Sequence, residues 1–460
     1  MNKRITRIQK IELTNFKNIK FGTIDLNNSY KKKEYFSNRA DVAGIYGQNG
    51  SGKSAVVEAF NLLNYIACGL PLPNNLQDYI YQSENKATLS FTFYTEHEES
   101  KYLSYYEFSI EKAETGAEIV NEKFSKSKFI NGKPEFKTVF IETSKDSKTP
   151  VLPQKRYKEF LSYKGVDAVN LKVQKVLATK ENKSFVFSEY IFNIFQNNYS
   201  KESWEILNFI RQFACVNLFV ITNRDSAPIG LNLLPFSYRC QNENQISVEN
   251  MGINLNGQLN GQLTADLEGF EKVKKILTQL NVVLCKIVPG MTLEIREMGR
   301  DLTKENKELI KYALIALRGE FKIPLQYESD GIKKIISVLS SLINMFNDPS
   351  ICLVIDEFDS GIFEYIFGEI LSIVEEKGRG QLIFTSHNLR ALEMLDKKSV
   401  VFSTANPDNR FIKMTNVAAN NNLRDVYLRG IDLGGAKESL YEETNHYEIA
   451  YAFKKAGDIN

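Results

Sequence analysis

The chain has 460 residues, 43% hydrophobic and 25% charged, with a formal net charge of +2 at pH 7. This is an ordinary globular composition with room for two or three domains, and it excludes a mini-protein. Five cysteines, Cys68, Cys215, Cys240, Cys285 and Cys352, stand singly without CxxC pairs, which argues against a disulfide framework or a zinc site and for a reducing compartment. The N-terminal MNKRITRIQKIELTNF has no signal-peptide core, and no apolar run approaches the length of a membrane span. Neither export nor membrane insertion is therefore indicated, and a cytoplasmic location is expected.

Charge is segregated along the chain. Residues 1–40 hold ten Lys/Arg against three Asp/Glu, and residues 121–183 hold fifteen against seven. Such stretches read either as a surface for nucleic acid or acidic protein, or as solvated lysines on loops and strand edges.

The first 110 residues are strand-rich: ITRIQKIELTNF, TIDL, VAGIY and ATLSFTFYT are β-branched or aromatic runs of strand length. One helix interrupts them, starting at Gly52-Lys53-Ser54 and running through Ala55, Val56, Ala59, Phe60, Leu63 and Ile66 until Gly69 and Pro71 stop it. Residues 111–150 read as short strands joined by turns at Gly116 and Asn131-Gly132, a sheet extension with a strong hairpin signal. In residues 151–268 the segments YKEFLSY, SEYIFNIFQNN and KESWEILNFIRQF are helical in pattern, and 225–265, rich in Asn, Gln, Gly and Pro, reads as a loop-bearing insertion. From 269 to 460 the order is regular: helix GFEKVKKILTQLN, strands TLEIREM, YALIAL and IPLQY, helix GIKKIISVLSSLINMF, strand ICLVIDEF, helix FEYIFGEILSIVEEK, strand GQLIFTSH. Strands alternating with crossover-length helices predict a parallel sheet covered on both faces.

Four stretches carry chemistry. Gly47-Gln48-Asn49-Gly50-Ser51-Gly52-Lys53-Ser54 fits G-x-x-x-x-G-K-S, between a predicted buried strand (Val42 to Tyr46) and a predicted helix. Such a loop cradles phosphate oxygens with main-chain N–H groups and a helix N-terminus. Lys53 neutralises the terminal phosphates and the Ser54 hydroxyl ligates Mg²⁺, so ATP and Mg²⁺ are the expected ligands. The apolar run ending in Asp356-Glu357 places one acid to hold Mg²⁺ through water and the next to act as general base on the attacking water. The strand GQLIFTSH ends in His387, one of three histidines with His97 and His446, where an imidazole can hydrogen-bond the γ-phosphate or order the water. Finally, Glu328-Ser329-Asp330-Gly331 precedes an amphipathic helix; it reads equally as an N-cap and as an anion site for a phosphate held by a second subunit.

Together, IxLTNFKNI, GxNGSGKS, SDG before a helix, LVIDEFDSG and TSHN resemble the ABC-type ATPases of the RecF, SMC and OLD group, over about residues 1–100 and 270–400. The resemblance implies an α/β head of two lobes, 1–110 and 269–460, with mixed and parallel sheets, helices, and a largely helical insertion between. It further implies an ATP-driven dimer of heads in which Ser329 and Gly331 act in trans on the nucleotide, Asp359 lies in the D-loop and His387 at the switch position. Here ESDG stands where the family has LSGGQ. The short span between the lobes carries no heptad arms, which disfavours the SMC branch, and no DxD acid set follows TSHN, so no appended nuclease is expected. In length and in its LRDVYLRGIDLGG ending the chain is similar to the single-domain AAA15/AAA21 ATPases of bacterial anti-phage defence. That likeness implies a homo-oligomeric sensor holding a separate TOPRIM nuclease effector and answering a phage trigger protein. A RecF-like clamp on duplex DNA is the alternative the basic segments suggest, and a small-molecule phosphotransferase lacks lid arginines.

Overall fold

A computed structural model describes residues 4–26, 39–98, 100–114, 116–198, 201–222, 233–242, 245–254, 263–302, 308–414, 422–432, 438–441 and 445–457 of the chain. Strand β1 (Ile5–Phe16) pairs antiparallel with β2 (Ile19–Asp25). Strand β3 (Asp41–Tyr46) is buried at every position and leads through the glycine loop into helix α1 (Lys53–Ala67). That helix stops where its sequence places the end: Cys68 caps it and Gly69 takes φ +69°, the left-handed conformation that closes helices. Strands β4 (Lys86–His97), β5 (Ser100–Ala113), β6 (Gly116–Ile130), β7 (Lys133–Pro134) and β8 (Thr138–Ser144) follow. Between β6 and β7, Asn131 and Gly132 both take positive φ, 53° and 75°, as the tight hairpin turn requires.

The middle of the chain folds into helices α2 (Gln154–Ser162), α3 (Ala168–Lys180), α4 (Glu189–Asn197) and α5 (Lys201–Gln212), then strand β9 (Leu218–Ile221). Part of the segment expected as loop is not loop: β10 (Leu233–Asn242) and β11 (Gln245–Asn254) pair as an antiparallel hairpin. The signal lies in the period-two spacing of Phe236, Tyr238 and Cys240, and of Ile246 and Val248, which the abundance of Asn and Gln obscures.

The remaining elements are β12 (Leu263–Ala265), α6 (Leu267–Ile287), β13 (Met291–Leu302), β14 (Glu308–Arg318), β15 (Phe321–Pro324), α7 (Asp330–Asn347), β16 (Cys352–Ile355), α8 (Glu364–Lys377), β17 (Gln381–Thr385), α9 (Arg390–Met394), β18 (Val400–Ser403), β19 (Phe411–Ile412), α10 (Leu423–Asp432) and α11 (His446–Gly457). The expectation of one parallel sheet here holds only in part. Strands β12 to β15 form a separate antiparallel sheet, because the five residues between β13 and β14 are too few for a parallel crossover. Strands β16, β17 and β18, each reached after a longer connection, join β3 and β9 in a parallel sheet of order β18-β3-β17-β16-β9, with β19 antiparallel at one edge.

This parallel sheet is the middle layer of an α/β fold that combines it with antiparallel sheets. Ala43 and Ile45 of β3 and Val354 of β16 face one core, shared with α1, the β4–β5–β6 sheet and the middle helices. Val42 and Tyr46, with Leu353 and Ile355, face the other, shared with α6, α7 and α8. Each such apolar side chain contributes about 1.5–3 kcal/mol when fully buried, which is why these strands read as unbroken apolar runs. Two polar stitches fasten the layers. Buried Arg7 of β1 donates to the Asp41 carboxylate (2.8 Å) and to the Pro349 carbonyl (3.1 Å), while the Gln381 side chain accepts from Ile8 N–H and donates to Ile8 C=O. Burial pushes the Asp41 carboxyl up, and Arg7 and Gln381 oppose it.

One cysteine expectation is corrected. Cys68, just past α1, and Cys215, in the turn before β9, are paired as a disulfide with their Cα atoms 5.6 Å apart. They are 147 residues apart in sequence, so no spacing rule could mark them. Among the described residues no helix is long and apolar enough to cross a membrane.

Candidate active site

The loop Gly47–Ser54 runs from the end of β3 to the first turn of α1. Gly50 and Gly52 take φ +78° and +92°, conformations that side chains rarely adopt. Gly47 is required for space as well: a Cβ there would lie 2.0 Å from Ser403 Oγ, at the end of the neighbouring strand β18. Ser403 Oγ is itself held by Ser51 Oγ (2.5 Å) and by the Tyr46 carbonyl, to which it donates (3.0 Å). The Lys53 ammonium donates to the Gly47 and Gln48 carbonyls, each at 2.8 Å, and so closes the loop on itself. Burial pulls Lys53 down to about 8, with Asp356, Glu357 and Asp359 pulling the other way.

The acids arrive from β16, two strands away from β3 across β17. Strand β16 ends at Ile355, and buried Asp356 follows at its C-terminal edge. Ser54 Oγ donates to Asp356 Oδ1 at 3.2 Å, and Thr385 Oγ1 donates to the same oxygen at 2.6 Å while accepting from Glu357 N–H at 2.7 Å. Glu357 takes φ +46°, a left-handed conformation that turns the chain sharply after Asp356. Its carbonyl accepts from the Lys334 ammonium of α7 at 2.5 Å. Past β17, His387 N–H donates to Asp359 Oδ2 (3.2 Å). Burial and then the Lys53 charge hold the His387 imidazole below its usual value, against the pull of the three carboxylates.

These groups bound an open cleft of ≈ 530 Å³, lined on one wall by Asn49, Gly50, Gly52, Lys53 and Ser54 and on another by Glu357 and His387. A cleft of ≈ 580 Å³ beside Gln77, Lys112 and Glu114 is lined by no glycine loop. The loop, Asp356, Glu357 and His387 thus come together from segments some 300 residues apart. Ser329 and Gly331 do not join them: exposed Ser329 caps α7, its Oγ accepting from Ile332 N–H (3.4 Å), outside the cleft wall. Three groups had no mark in the motif reading. Lys17 and Asn18 close the cleft from the β1–β2 turn, although both lie within the quoted NFKNI stretch, and Thr385 lies within the quoted TSHN strand end.

The residues present fit a magnesium nucleotide. Ser54 and Asp356 offer adjacent hard oxygens, and Mg²⁺ keeps most of its water and asks for few protein ligands. Among the described residues no group of three or more His, Cys, Asp or Glu is placed to hold a metal ion.

No family model and no curated protein matches the chain. Among solved structures it is similar to an SMC head domain with an extended coiled coil from Pyrococcus furiosus, bound to the C-terminal domain of ScpA (12% identity, 89% of this chain and 96% of that one, TM-score 0.40). It is also similar to the SMC head domain of Thermotoga maritima (14%, 89% and 99%, TM-score 0.36) and to the recombination mediator protein RecF of the RecFOR pathway (13%, 90% and 100%, TM-score 0.37). Likenesses of this size carry no weight on function, and the fold rests on its own strand order.

Proposed function

We propose that the chain is a magnesium-dependent ATPase of the ABC type, hydrolysing ATP to ADP and phosphate. The observation that supports it best is the bridge from Ser54 through the Asp356 carboxylate to Thr385, which also accepts from the Glu357 main-chain N–H and so joins the end of the glycine loop to the turn after β16. In this reading the main-chain N–H groups of Gly50, Ser51, Gly52 and Lys53 and the dipole of α1 hold the phosphates. Lys53 leaves the Gly47 and Gln48 carbonyls for the terminal phosphates, and Asn49 borders the γ-phosphate. Ser54 and Asp356 would hold Mg²⁺, which supplies charge neutralisation at the phosphate oxygens. Glu357 takes a proton from the attacking water, and His387 hydrogen-bonds the γ-phosphate.

Residues 1–110 and 269–460 then serve as the two ATPase lobes. Exposed Ser329 and half-buried Gly331, at the N-terminus of α7, would meet the γ-phosphate of a second copy, giving a homo-oligomer through sandwiched nucleotides. The finer reading rests on the sequence resemblance: an anti-phage scaffold and sensor similar to the ATPase subunit of the PARIS system, holding a separate TOPRIM nuclease or toxin effector until a phage trigger arrives. The alternative is a RecF-like DNA clamp. It is favoured by the lysines of β6 and its hairpin, several of which lie over aromatic rings, as Lys128 over Tyr102 and Lys137 over Tyr105.

The test uses the purified full-length chain with Mg-ATP. Glu357→Gln should retain nucleotide and lose turnover, and Lys53→Ala should lose nucleotide by about 100-fold or more, the worth of one or two charge-assisted bonds. Wild-type turnover in Glu357→Gln, or unchanged affinity in Lys53→Ala, refutes the site. Co-elution with the product of the adjacent gene tests the effector reading, and salt-sensitive, ATP-dependent retention on duplex DNA tests the clamp.

A further inference from the structure

Helix α7 begins with two lysines in succession, Lys333 and Lys334, and both are nearly inaccessible at 4% and 5% exposure. Burying an ammonium is costly unless something specific answers it. Lys333 faces a carboxylate one turn back, Asp330, at 2.9 Å. Lys334 instead directs its ammonium at a main-chain carbonyl, that of Glu357, at 2.5 Å. Burial pulls the Lys334 ammonium below its usual value, and Asp359, Glu357 and Asp356 pull the other way.

That carbonyl belongs to a residue whose conformation needs outside support. Glu357 sits at φ +46°, a region costly for a side chain of this size. Both of its main-chain groups are held: the N–H by Thr385 Oγ1 of β17 at 2.7 Å, and the C=O by Ser360 N–H inside the turn at 3.0 Å and, from outside it, by Lys334 of α7. A second contact joins α7 to the same turn. Gly331 lies so close to Gly361 that a Cβ on it would stand 2.0 Å from the Gly361 carbonyl oxygen. The start of α7 and the turn from Asp356 to Ile362 are therefore fastened at two points, one polar and one steric.

The geometry points to Lys334 as the positioning residue of the hydrolytic carboxylate: by gripping the Glu357 carbonyl it sets the turn that aims Glu357 into the cleft, and it ties that aim to the placement of the α7 N-terminus. This rests on the ATPase reading and deepens it. An anion that draws on Ser329 and Gly331 at the head of α7 is felt, through Lys334, at Glu357 of the same chain. Each site would then be tuned by what its own α7 meets elsewhere.

The experiment compares full-length wild type, Lys334→Met, which keeps the stem and removes the ammonium, and Lys334→Arg. The readouts are the dissociation constant for a fluorescent ATP analogue with Mg²⁺, kcat, and amide hydrogen exchange over residues 356–362 in the nucleotide-free protein. Lys334→Met should bind the analogue within about twofold of wild type and lose about tenfold to a hundredfold in kcat, the size of effect a small misplacement of a reacting group produces. Exchange in the turn should rise at least about tenfold, and Lys334→Arg should recover most of both losses. The inference is overturned if Lys334→Met keeps wild-type kcat, if kcat falls only in step with affinity, or if turn exchange is unchanged. Should the wild type neither bind nor hydrolyse ATP, the ATPase reading fails by itself. The exchange result then decides the Lys334 contact separately: a turn loosened in Lys334→Met and restored in Lys334→Arg keeps it, and a turn indifferent to both removes it.

Discussion

Thr385 is the residue on which the two acids converge, and replacing it with valine isolates its hydroxyl. Valine matches threonine in shape and suits a β-strand, so the backbone of β17 should persist. Two bonds are lost: one to the Asp356 carboxylate at 2.6 Å and one from Glu357 N–H at 2.7 Å. The first, to a charged acceptor, is worth about 1.5–3 kcal/mol and the second about 0.5–1.5, for a total of about 2–4.5 kcal/mol in a residue with no exposure. Thr385→Ser keeps the hydroxyl and loses one methyl, about 1 kcal/mol. Urea unfolding of the nucleotide-free variants measures the difference, and steady-state turnover shows whether the acids have lost their aim. The reasoning is refuted if Thr385→Val and Thr385→Ser unfold at the same midpoint with the same kcat.

Lys53 gives a pH dependence. Burial lowers it to about 8 in the empty loop, and a triphosphate favours its charged form. Binding therefore takes up a proton above about pH 8, and apparent ATP affinity should be flat below that pH and fall towards tenfold per unit above it. An affinity constant from pH 7 to 9.5 rejects this. Gly47→Ala forces a Cβ to within 2.0 Å of Ser403 Oγ in a left-handed conformation, and should destabilise by about 1–3 kcal/mol in thermal unfolding. Part of that loss should return in Gly47→Ala/Ser403→Ala; a single variant that melts like wild type contradicts the packing.

How much of this is readable from residues alone depends on how local the cause is. The glycine loop, α1 and the Asn131-Gly132 hairpin are legible because each is set by neighbours in sequence: positive φ at named glycines, helical spacing of apolar residues, a turn type that demands Asn-Gly. Strands β3, β16 and β17 are legible as buried runs because both their faces meet cores. The separate sheet of β12 to β15 is not, since a strand's own letters do not say which strand it will pair with. The hairpin β10–β11 is hidden by composition, where periodicity would have shown it. Within the site, the chemistry of Asp356 and Glu357 is readable from their own letters, whereas that of Thr385, although inside the TSHN stretch, and of Lys334 is not. Their roles lie in contacts made 28 and 23 residues away in sequence, to main-chain atoms that any residue would present.

The position of β3 in the strand order has an effect on biosynthesis. This strand lies between β17 and β18, so an element made within the first fifty residues completes its hydrogen bonding only with partners from beyond residue 380. While the polypeptide is still emerging from the ribosome, the glycine loop has no neighbouring strand on either side and no acids opposite. The cleft between the glycine loop and the two acids is therefore assembled only once β17 and β18 have been made.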